Sequence, residues 1–285
     1  MIKEHDFHLQ DPTWCRGCGI FGVFAALKKA SVSLDLDPDS MVVVTGIGCH
    51  GRFNNYFKAY GFHTLHGRAL PVAAGVKLSN VPLNVIAISG DGDAYSIGLG
   101  HFIHAVRRNI NIVYLVIDNR IYALTQGQPS PTTSMGFVTR YSPMGTKDLP
   151  LDGPQLALAA GGSFVARGFS GDPTQLAGIM EKAFAHKGFS VIDILSPCVT
   201  HNKINSYQWF KERIHRVEDD PSYDPTDRNS ARLKLDEKDK IATGLLFVQD
   251  RPSFNDLVLA GMKPLVETDL NEGIPRIEEL LKEFK

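Results

Sequence analysis

The stretch LNVIAISGDGD, residues 83–93, decides the fold, because in it an uninterrupted apolar run ends in glycines and carboxylates. Such a run is typical of a strand that is buried on both faces of a parallel sheet. A second run, IVYLVI at residues 112–117, ends in Asp118 and Asn119, and residues 96–108 between the two runs have helical spacing. We therefore predict an α/β fold, a parallel sheet with helices on both faces.

The same alternation extends along the chain on both sides of this stretch. Further strands are predicted over 41–48, 164–167 and 190–195, and helices from residue 68 and over 174–186. Residues 120–154 are rich in Gly, Pro, Ser and Thr, and we predict a long, functional loop there. After about residue 216 the charge density rises and strand patterns weaken. We predict one domain over 1–216 and a C-terminal arm or extension over 217–285.

Composition excludes several classes of protein. The chain has 285 residues, 43% of them hydrophobic, which excludes a disordered or collagen-like protein. No apolar run approaches the ~18–20 residues that span a bilayer. The first residues are charged and interrupted by Pro12, unlike a secretory signal peptide. Four cysteines are too few for a disulfide scaffold, so we expect free thiols or metal ligands in a reducing, cytoplasmic compartment.

The net charge of −1 hides an uneven distribution. Residues 40–147 hold nine basic side chains and three acidic ones, namely Asp91, Asp93 and Asp118. A basic region of this kind favours an anionic ligand. Nucleic acid is a poor candidate, because the basic residues are scattered through predicted buried elements without an array of aromatic side chains.

The GDGD motif at 90–93 predicts a metal and diphosphate site. Ligands of parallel α/β sheets bind at the carboxyl ends of the strands, and glycines allow close approach of a phosphate. Asp91 can supply a hard oxygen ligand for Mg²⁺, with Asn119 and the carbonyl of Ile121 as the second and third ligands. GDG alone is often only a tight turn. The additional Asp118-Asn119 pair after a second buried strand is far more specific.

This spacing resembles the thiamine diphosphate-binding signature, which usually ends in two asparagines. Here Asp118 replaces the first of them, so only Asn119 is taken as a ligand.

A competing motif lies at residues 46–51, where GIGCHG follows a strand. Dinucleotide-binding proteins with this pattern carry an acidic residue about 20 positions further on. No acidic residue lies between Asp39 and Asp91, so we reject nicotinamide binding.

The four cysteines form a second candidate site. Cys15 and Cys18 stand in WCRGCG, while Cys49 and Cys198 each follow a predicted strand. Four thiolates suffice for one tetrahedral zinc or one cubane iron–sulfur cluster. The C-x-x-C pair alone also fits a zinc knuckle or a redox pair, and the other two thiols could be buried core residues.

With both sites in view, the chain resembles the β subunit of 2-oxoacid:ferredoxin oxidoreductases over roughly residues 10–210. The resemblance is closer to the 2-oxoglutarate-type enzymes than to the pyruvate-type ones. It rests on the motifs WCRGCG, TGIGCHGR, TLHGRALPVAAGVKL, ISGDGDAYSIG, HFIHAVRRNI, DNRIYALTQGQPSPTT and SPC.

The resemblance implies a thiamine diphosphate-binding fold and an activity. A 2-oxoacid, most simply 2-oxoglutarate, is oxidatively decarboxylated with coenzyme A to acyl-CoA and CO₂. Electrons pass through a [4Fe-4S] cluster, held by Cys15, Cys18, Cys49 and Cys198, to ferredoxin. The resemblance also implies the cofactor-facing residues, which are Ile47, Gly48, Cys49, His50, His66, Asp91, Gly92, Asp93, Asn119, Ile121, Ala123 and Leu124.

The chain resembles half of an active site. Thiamine enzymes use a glutamate from a separate domain, and the resemblance places it on an α subunit in a heterodimer or a dimer of heterodimers. Arg52 is the candidate for binding a substrate carboxylate, because a guanidinium binds a carboxylate with two hydrogen bonds. Three alternatives stay open: a pyruvate or broad-specificity enzyme of the same family, a ferredoxin-independent thiamine enzyme with structural zinc, and a non-catalytic metal-binding scaffold.

Overall fold

The computed structural model describes residues 2–269 and 281–282. Its strands are Met41–Thr45 (β1), Tyr60–His63 (β2), Asn84–Gly90 (β3), Ile112–Asp118 (β4), Phe164–Phe169 (β5), Phe189–Leu195 (β6), Ile214–Arg216 (β7) and Ile241–Val248 (β8). The α-helices in this part of the chain are Ile20–Ser33 (α1), Phe53–Tyr56 (α2), Ala69–Ser79 (α3), Leu99–Arg108 (α4), Gly153–Ala159 (α5), Pro173–Ala185 (α6), Tyr207–Lys211 (α7), Arg228–Leu235 (α8) and Phe254–Leu259 (α9).

The eight strands form one sheet in the order β2-β1-β3-β4-β6-β5-β8-β7. Neighbouring strands are parallel except for β5 and β8, which are antiparallel. Strands β3 and β4 are adjacent, and Gly90 pairs with Ile117. Their carboxyl ends therefore meet at one edge of the sheet, directly before Asp91 and Asn119.

Helices cover both faces of the sheet, as predicted. In β4, Val113, Leu115 and Ile117 face the core formed with α1 and α6. The alternating residues Ile112, Tyr114 and Val116 face the second core, formed with α3, α4 and α5. Because both faces of the strand are buried, its sequence is apolar at every position.

Three strands, β2, β7 and β8, were not predicted from the sequence, and β7 is only three residues long. β8 lies within the segment predicted as a C-terminal arm, yet it pairs with β5 and so belongs to the sheet. The boundary at residue 216 stays a prediction, and residues 270–280 and 283–285 of the segment lie outside the described residues. β2 is exposed at all four positions and short, so it carries no buried-strand pattern.

The predicted long loop connects β4 with α5. Across the described residues, no helix combines the length and apolar character needed to cross a bilayer.

Candidate active site

A pocket lies at the edge of the sheet where β3 and β4 end. Its walls come from the loops after β1, β3 and β4, and from His66 before α3. The structure thus brings together all twelve residues that were predicted to face the cofactor, which are Ile47, Gly48, Cys49, His50, His66, Asp91, Gly92, Asp93, Asn119, Ile121, Ala123 and Leu124.

Asp91 is buried beneath this pocket, with 2% of its surface exposed. Its Oδ2 accepts hydrogen bonds from the hydroxyl groups of Ser130, at 2.5 Å, and Thr132, at 2.7 Å. Burial raises the pKa of Asp91 to about 6, because the charged carboxylate loses its hydration. A divalent cation beside the carboxylate would offset that cost.

The loop after β4 turns back sharply to present its oxygens. Arg120 adopts a left-handed conformation with φ of 59°, and the Asn119 Oδ1 accepts the Ile121 N–H at 3.1 Å. Asp118 Oδ1 accepts a hydrogen bond from the Arg120 N–H and lies 2.7 Å from the Thr132 hydroxyl, whose single proton is donated to either Asp91 or Asp118 at one time. Asn119 lines the pocket and stays the predicted ligand.

The donor set fits Mg²⁺ bound to a diphosphate. Asp91 offers a carboxylate, Asn119 an amide oxygen and Ile121 a carbonyl, and Mg²⁺ prefers few protein oxygens together with phosphate oxygens. Three buried polar atoms beside the pocket make no hydrogen bond of good geometry: His50 Nε2 and Asp93 Oδ2, which are 3.9 Å apart, and His66 Nδ1, which lies 3.2 Å from Asp93 Oδ1. Such atoms are suited to a polar ligand.

Asp93 supports the pocket from within. Its Oδ1 accepts the N–H groups of Ile47, at 3.1 Å, and Gly67, at 2.7 Å, which joins two loops of the pocket. His50 Nε2 lies 3.9 Å from Asp93 Oδ2. Burial lowers the pKa of His50 to about 4 despite this carboxylate, so the imidazole is neutral at pH 7.

The chain after the GDGD motif forms one π-helical turn, Asp93–Ile97, before α4. Such turns occur frequently at functional sites. Tyr95 within it is buried, and its hydroxyl donates to Asp193 Oδ2 on β6 at 2.7 Å. The Arg167 guanidinium lies between Asp193 and Asp152, 3.5 Å and 2.5 Å away. This buried network joins the turn to the centre of the sheet.

We expect Tyr95→Phe to lower the free energy of unfolding by about 1–3 kcal/mol at pH 8, because buried Asp193 loses its donor. Burial, with the neighbouring Asp118 carboxylate, raises the pKa of Asp193 to about 7. Loss of the hydroxyl raises that pKa further, so the cost grows as pH rises through about 7 and is small at pH 5.5. Urea unfolding at both pH values measures the difference.

Tyr114→Phe is the matched control, because this buried tyrosine is not hydrogen-bonded to a carboxylate. Its cost should be the same at both pH values. A pH-independent cost for Tyr95→Phe would contradict the role given to Asp193.

The four cysteines surround a second cavity of about 230 Å³. Cys15 and Cys18 come from a tight turn in which the Cys18 N–H donates to the Cys15 carbonyl at 2.9 Å. Cys49 follows β1, and Cys198 follows β6. Burial, with the charges of the other cysteines, raises the pKa of Cys18 to about 11. Cys18 is therefore a protonated thiol at pH 7, and binding a metal would require its deprotonation.

Trp14 anchors the C-x-x-C turn against the body of the protein. Its Nε1 donates to the Cys49 carbonyl at 2.9 Å, and its ring contacts those of Phe53 and Tyr56. In the part of the chain that the structure describes, no three His, Cys, Asp or Glu side chains converge on a single metal-ion position.

The two cavities share a wall. Cys49 lines both of them, and so do four other residues, which are Ile20, Asn119, Ala123 and Leu124. Arg52 lines the thiol cavity and not the cofactor pocket, and its Nη1 donates to Thr13 Oγ1 at 2.7 Å.

Sequence reasoning gave no role to several residues at the site. Ser130 and Thr132 belong to the quoted motif DNRIYALTQGQPSPTT, but nothing in the pattern located them beside Asp91. Tyr122 Oη donates to the Gly92 carbonyl at 3.2 Å, and its ring leaves no space for a side chain at residue 92.

Comparison with known proteins agrees with this geometry. Residues 46–194 match the family described as thiamine pyrophosphate enzyme, C-terminal TPP binding domain. Residues 198–260 match the C-terminal family of the pyruvate ferredoxin oxidoreductase beta subunit.

Curated relatives and a solved structure point to the same proteins. The chain is 41% identical to subunit beta of 2-oxoacid:ferredoxin oxidoreductase 2 from Aeropyrum pernix, covering 85% of this chain and 82% of that one. It is 43% identical to the 2-oxoglutarate synthase subunit KorB of Archaeoglobus fulgidus, covering 75% and 82%.

The solved structure is 2-oxoglutarate:ferredoxin oxidoreductase from Magnetococcus marinus with 2-oxoglutarate, coenzyme A and succinyl-CoA bound. It matches with a TM-score of 0.91 and 32% identity, over 100% of this chain and 96% of that one. The pocket, the thiol cavity and these similarities together show that the chain belongs to the β-subunit family of the 2-oxoacid:ferredoxin oxidoreductases.

Proposed function

We propose that this chain is the β subunit of a 2-oxoglutarate:ferredoxin oxidoreductase. The enzyme converts 2-oxoglutarate and coenzyme A to an acyl-CoA and CO₂, and it passes the electrons through a [4Fe-4S] cluster to ferredoxin in the cytoplasm. One observation carries the proposal: the pocket at the ends of β3 and β4 and the cavity of four thiols share Cys49 in their common wall. A decarboxylating cofactor and an electron acceptor would therefore be neighbours.

The chain's own residues bind and orient the cofactor in this proposal. Asp91, Asn119 and the Ile121 carbonyl would hold Mg²⁺, and Gly92 leaves space for the Tyr122 ring, which also lines the pocket. His50 and His66 line the pocket, and one nitrogen of each ring lies near an Asp93 carboxylate oxygen, at 3.9 Å and 3.2 Å. When bound, thiamine diphosphate supplies the nucleophilic carbon that decarboxylation of a 2-oxoacid requires. Burial keeps His50 neutral, so it can accept or donate a hydrogen bond without carrying charge.

Cys15, Cys18, Cys49 and Cys198 are the proposed ligands of the cluster. The four thiols line one cavity, yet no three of them among the described residues converge on a single metal-ion position, as the one ion of a zinc site would require. This arrangement favours iron–sulfur over the structural zinc of the alternative interpretation.

An α subunit completes the site in this proposal. The acidic residues that line the described pocket are Asp91 and Asp93. Ser130 and Thr132 hold the first, and two backbone N–H groups hold the second. Neither is a candidate for the glutamate that thiamine enzymes of this kind use. We assign that residue to the partner and expect the isolated chain to be inactive.

Steady-state kinetics of the co-purified complex test the proposal. We expect 2-oxoglutarate, with coenzyme A and ferredoxin, to give a kcat/KM at least about tenfold above that of pyruvate, since tenfold corresponds to only about 1.4 kcal/mol. Equal values would indicate a broad-specificity enzyme. Zinc in place of iron and sulfide, with no reduction of ferredoxin, would favour the ferredoxin-independent alternative. Full activity of the β chain alone would refute the proposal that an α subunit completes the active site.

Arg52 stays the candidate for the distal carboxylate of the substrate. We expect Arg52→Ala to raise the KM for 2-oxoglutarate about tenfold or more, because a hydrogen bond to a charged group contributes about 1.5–3 kcal/mol. The KM for pyruvate, which has no distal carboxylate, should change little. Kinetics with both substrates measure the contrast, and Lys58→Ala, an exposed base in the same region, is the control. Equal changes for both substrates would exclude the role.

A further inference from the structure

One buried hydroxyl connects the two loops of the proposed metal site. Thr132 Oγ1 lies 2.7 Å from Asp91 Oδ2, after β3, and 2.7 Å from Asp118 Oδ1, after β4. Thr132 is 4% exposed, and both carboxylates are also buried. The hydroxyl therefore joins the ends of two adjacent strands in a place that water does not reach.

A second hydroxyl fixes the same carboxylate oxygen. Ser130 Oγ lies 2.5 Å from Asp91 Oδ2 and is itself buried. With Thr132 it makes two contacts to that one oxygen, so the loop at residues 130–132 restrains the Asp91 carboxylate.

The loop that carries these hydroxyls is fastened to the metal-binding loop. The Thr133 hydroxyl donates to the Arg120 carbonyl at 2.7 Å and accepts the Ser130 N–H at 2.7 Å. Arg120 lies between the proposed ligands Asn119 and Ile121. The hydroxyl pair and the ligand loop are therefore one connected unit.

We propose that Ser130 and Thr132 are positioning residues for the proposed metal site. They orient the Asp91 carboxylate toward the cation, and Thr132 also sets the spacing between the ends of β3 and β4. The inference rests on the proposed function, because it concerns the Mg²⁺ of the diphosphate site. Its physical basis is general: residues that orient a metal ligand, without binding the metal, typically contribute 10–100-fold to metal affinity.

The test is calorimetric titration of thiamine diphosphate into the co-purified complex at a series of Mg²⁺ concentrations. We expect Thr132→Val to raise the Mg²⁺ concentration for half-maximal binding about 10–100-fold. Thr132→Ser, which keeps the hydroxyl, should restore a value near the wild type. Thr146→Val is the matched control, since this buried hydroxyl in the same long loop donates to the backbone carbonyl of Ser134.

The possible results distinguish a failure of the positioning role from a failure of the proposed cofactor site. An unchanged Mg²⁺ requirement in Thr132→Val, alongside a clear requirement in the wild type, overturns the inference alone. An equal change in Thr146→Val also overturns it, because the effect would then be general to the loop. Absence of Mg²⁺-dependent binding in the wild type overturns the proposed cofactor site itself. If Thr132→Val does not fold, Ser130→Ala gives the same test with a smaller change.

Discussion

The Asp91→Ala variant should lose Mg²⁺-dependent binding of thiamine diphosphate, with an affinity more than about 100-fold below the wild type. Residues that only orient a metal ligand contribute 10–100-fold, so removal of the ligand itself should exceed that range. Asp91 is also the only charged group among the three proposed ligands. Calorimetry of the co-purified complex with and without Mg²⁺ measures the loss, and acyl-CoA formation should fall in parallel.

Two further variants test whether the loss of binding is due to the Asp91 carboxylate itself. Asp91→Asn keeps an oxygen but removes the charge, so its affinity should lie between those of the wild type and the alanine variant. Asp39→Ala removes an exposed carboxylate and should bind normally. The apo form of Asp91→Ala should melt at or above the wild-type temperature, because burial of this carboxylate is unfavourable. Near-normal Mg²⁺-dependent binding by Asp91→Ala would contradict the assignment.

The Cys15→Ser variant should lose its iron and sulfide and, with them, at least about 100-fold of the rate of ferredoxin reduction. This magnitude follows from the same comparison with residues that only orient a ligand. Binding of thiamine diphosphate should persist, because Cys15 lines the thiol cavity and not the cofactor pocket. Iron and sulfide analysis, the absorbance of the cluster and calorimetry report the two sites separately.

Two further variants are compared with Cys15→Ser. Cys49→Ser should impair both sites, since Cys49 lies in their shared wall. Arg16→Ala changes an exposed residue in the same turn and should keep its iron. A full complement of iron in Cys15→Ser would exclude that residue as a ligand.

The parallel sheet and the location of the pocket could be predicted because both depend on local patterns. β3 and β4 are buried on both faces, so their sequences are apolar throughout and end visibly at Gly90 and Asp118. β2 is exposed and short, and β8 follows a highly charged segment. Neither was therefore predicted as a strand from the sequence. Pairing of β8 with β5 is a long-range contact that no local pattern specifies.

The positions of Ser130 and Thr132 could not be predicted for a different reason. They lie in a long loop without periodicity, and its path is set by contacts such as the hydrogen bond from Thr133 to the Arg120 carbonyl. The cysteines were easier to group, because their residue type restricts the possible roles even where their distance in sequence is large.

The thiol cavity has a consequence for how the protein matures. Cys198 lies three residues after the end of β6, so its position in the cavity depends on the place of β6 in the sheet. Trp14 meanwhile holds the C-x-x-C turn through aromatic contacts and a hydrogen bond that require no metal. Cys15 remains exposed. Under the proposed function, the exposed C-x-x-C turn therefore offers a route by which iron and sulfide could reach the cavity of a folded chain.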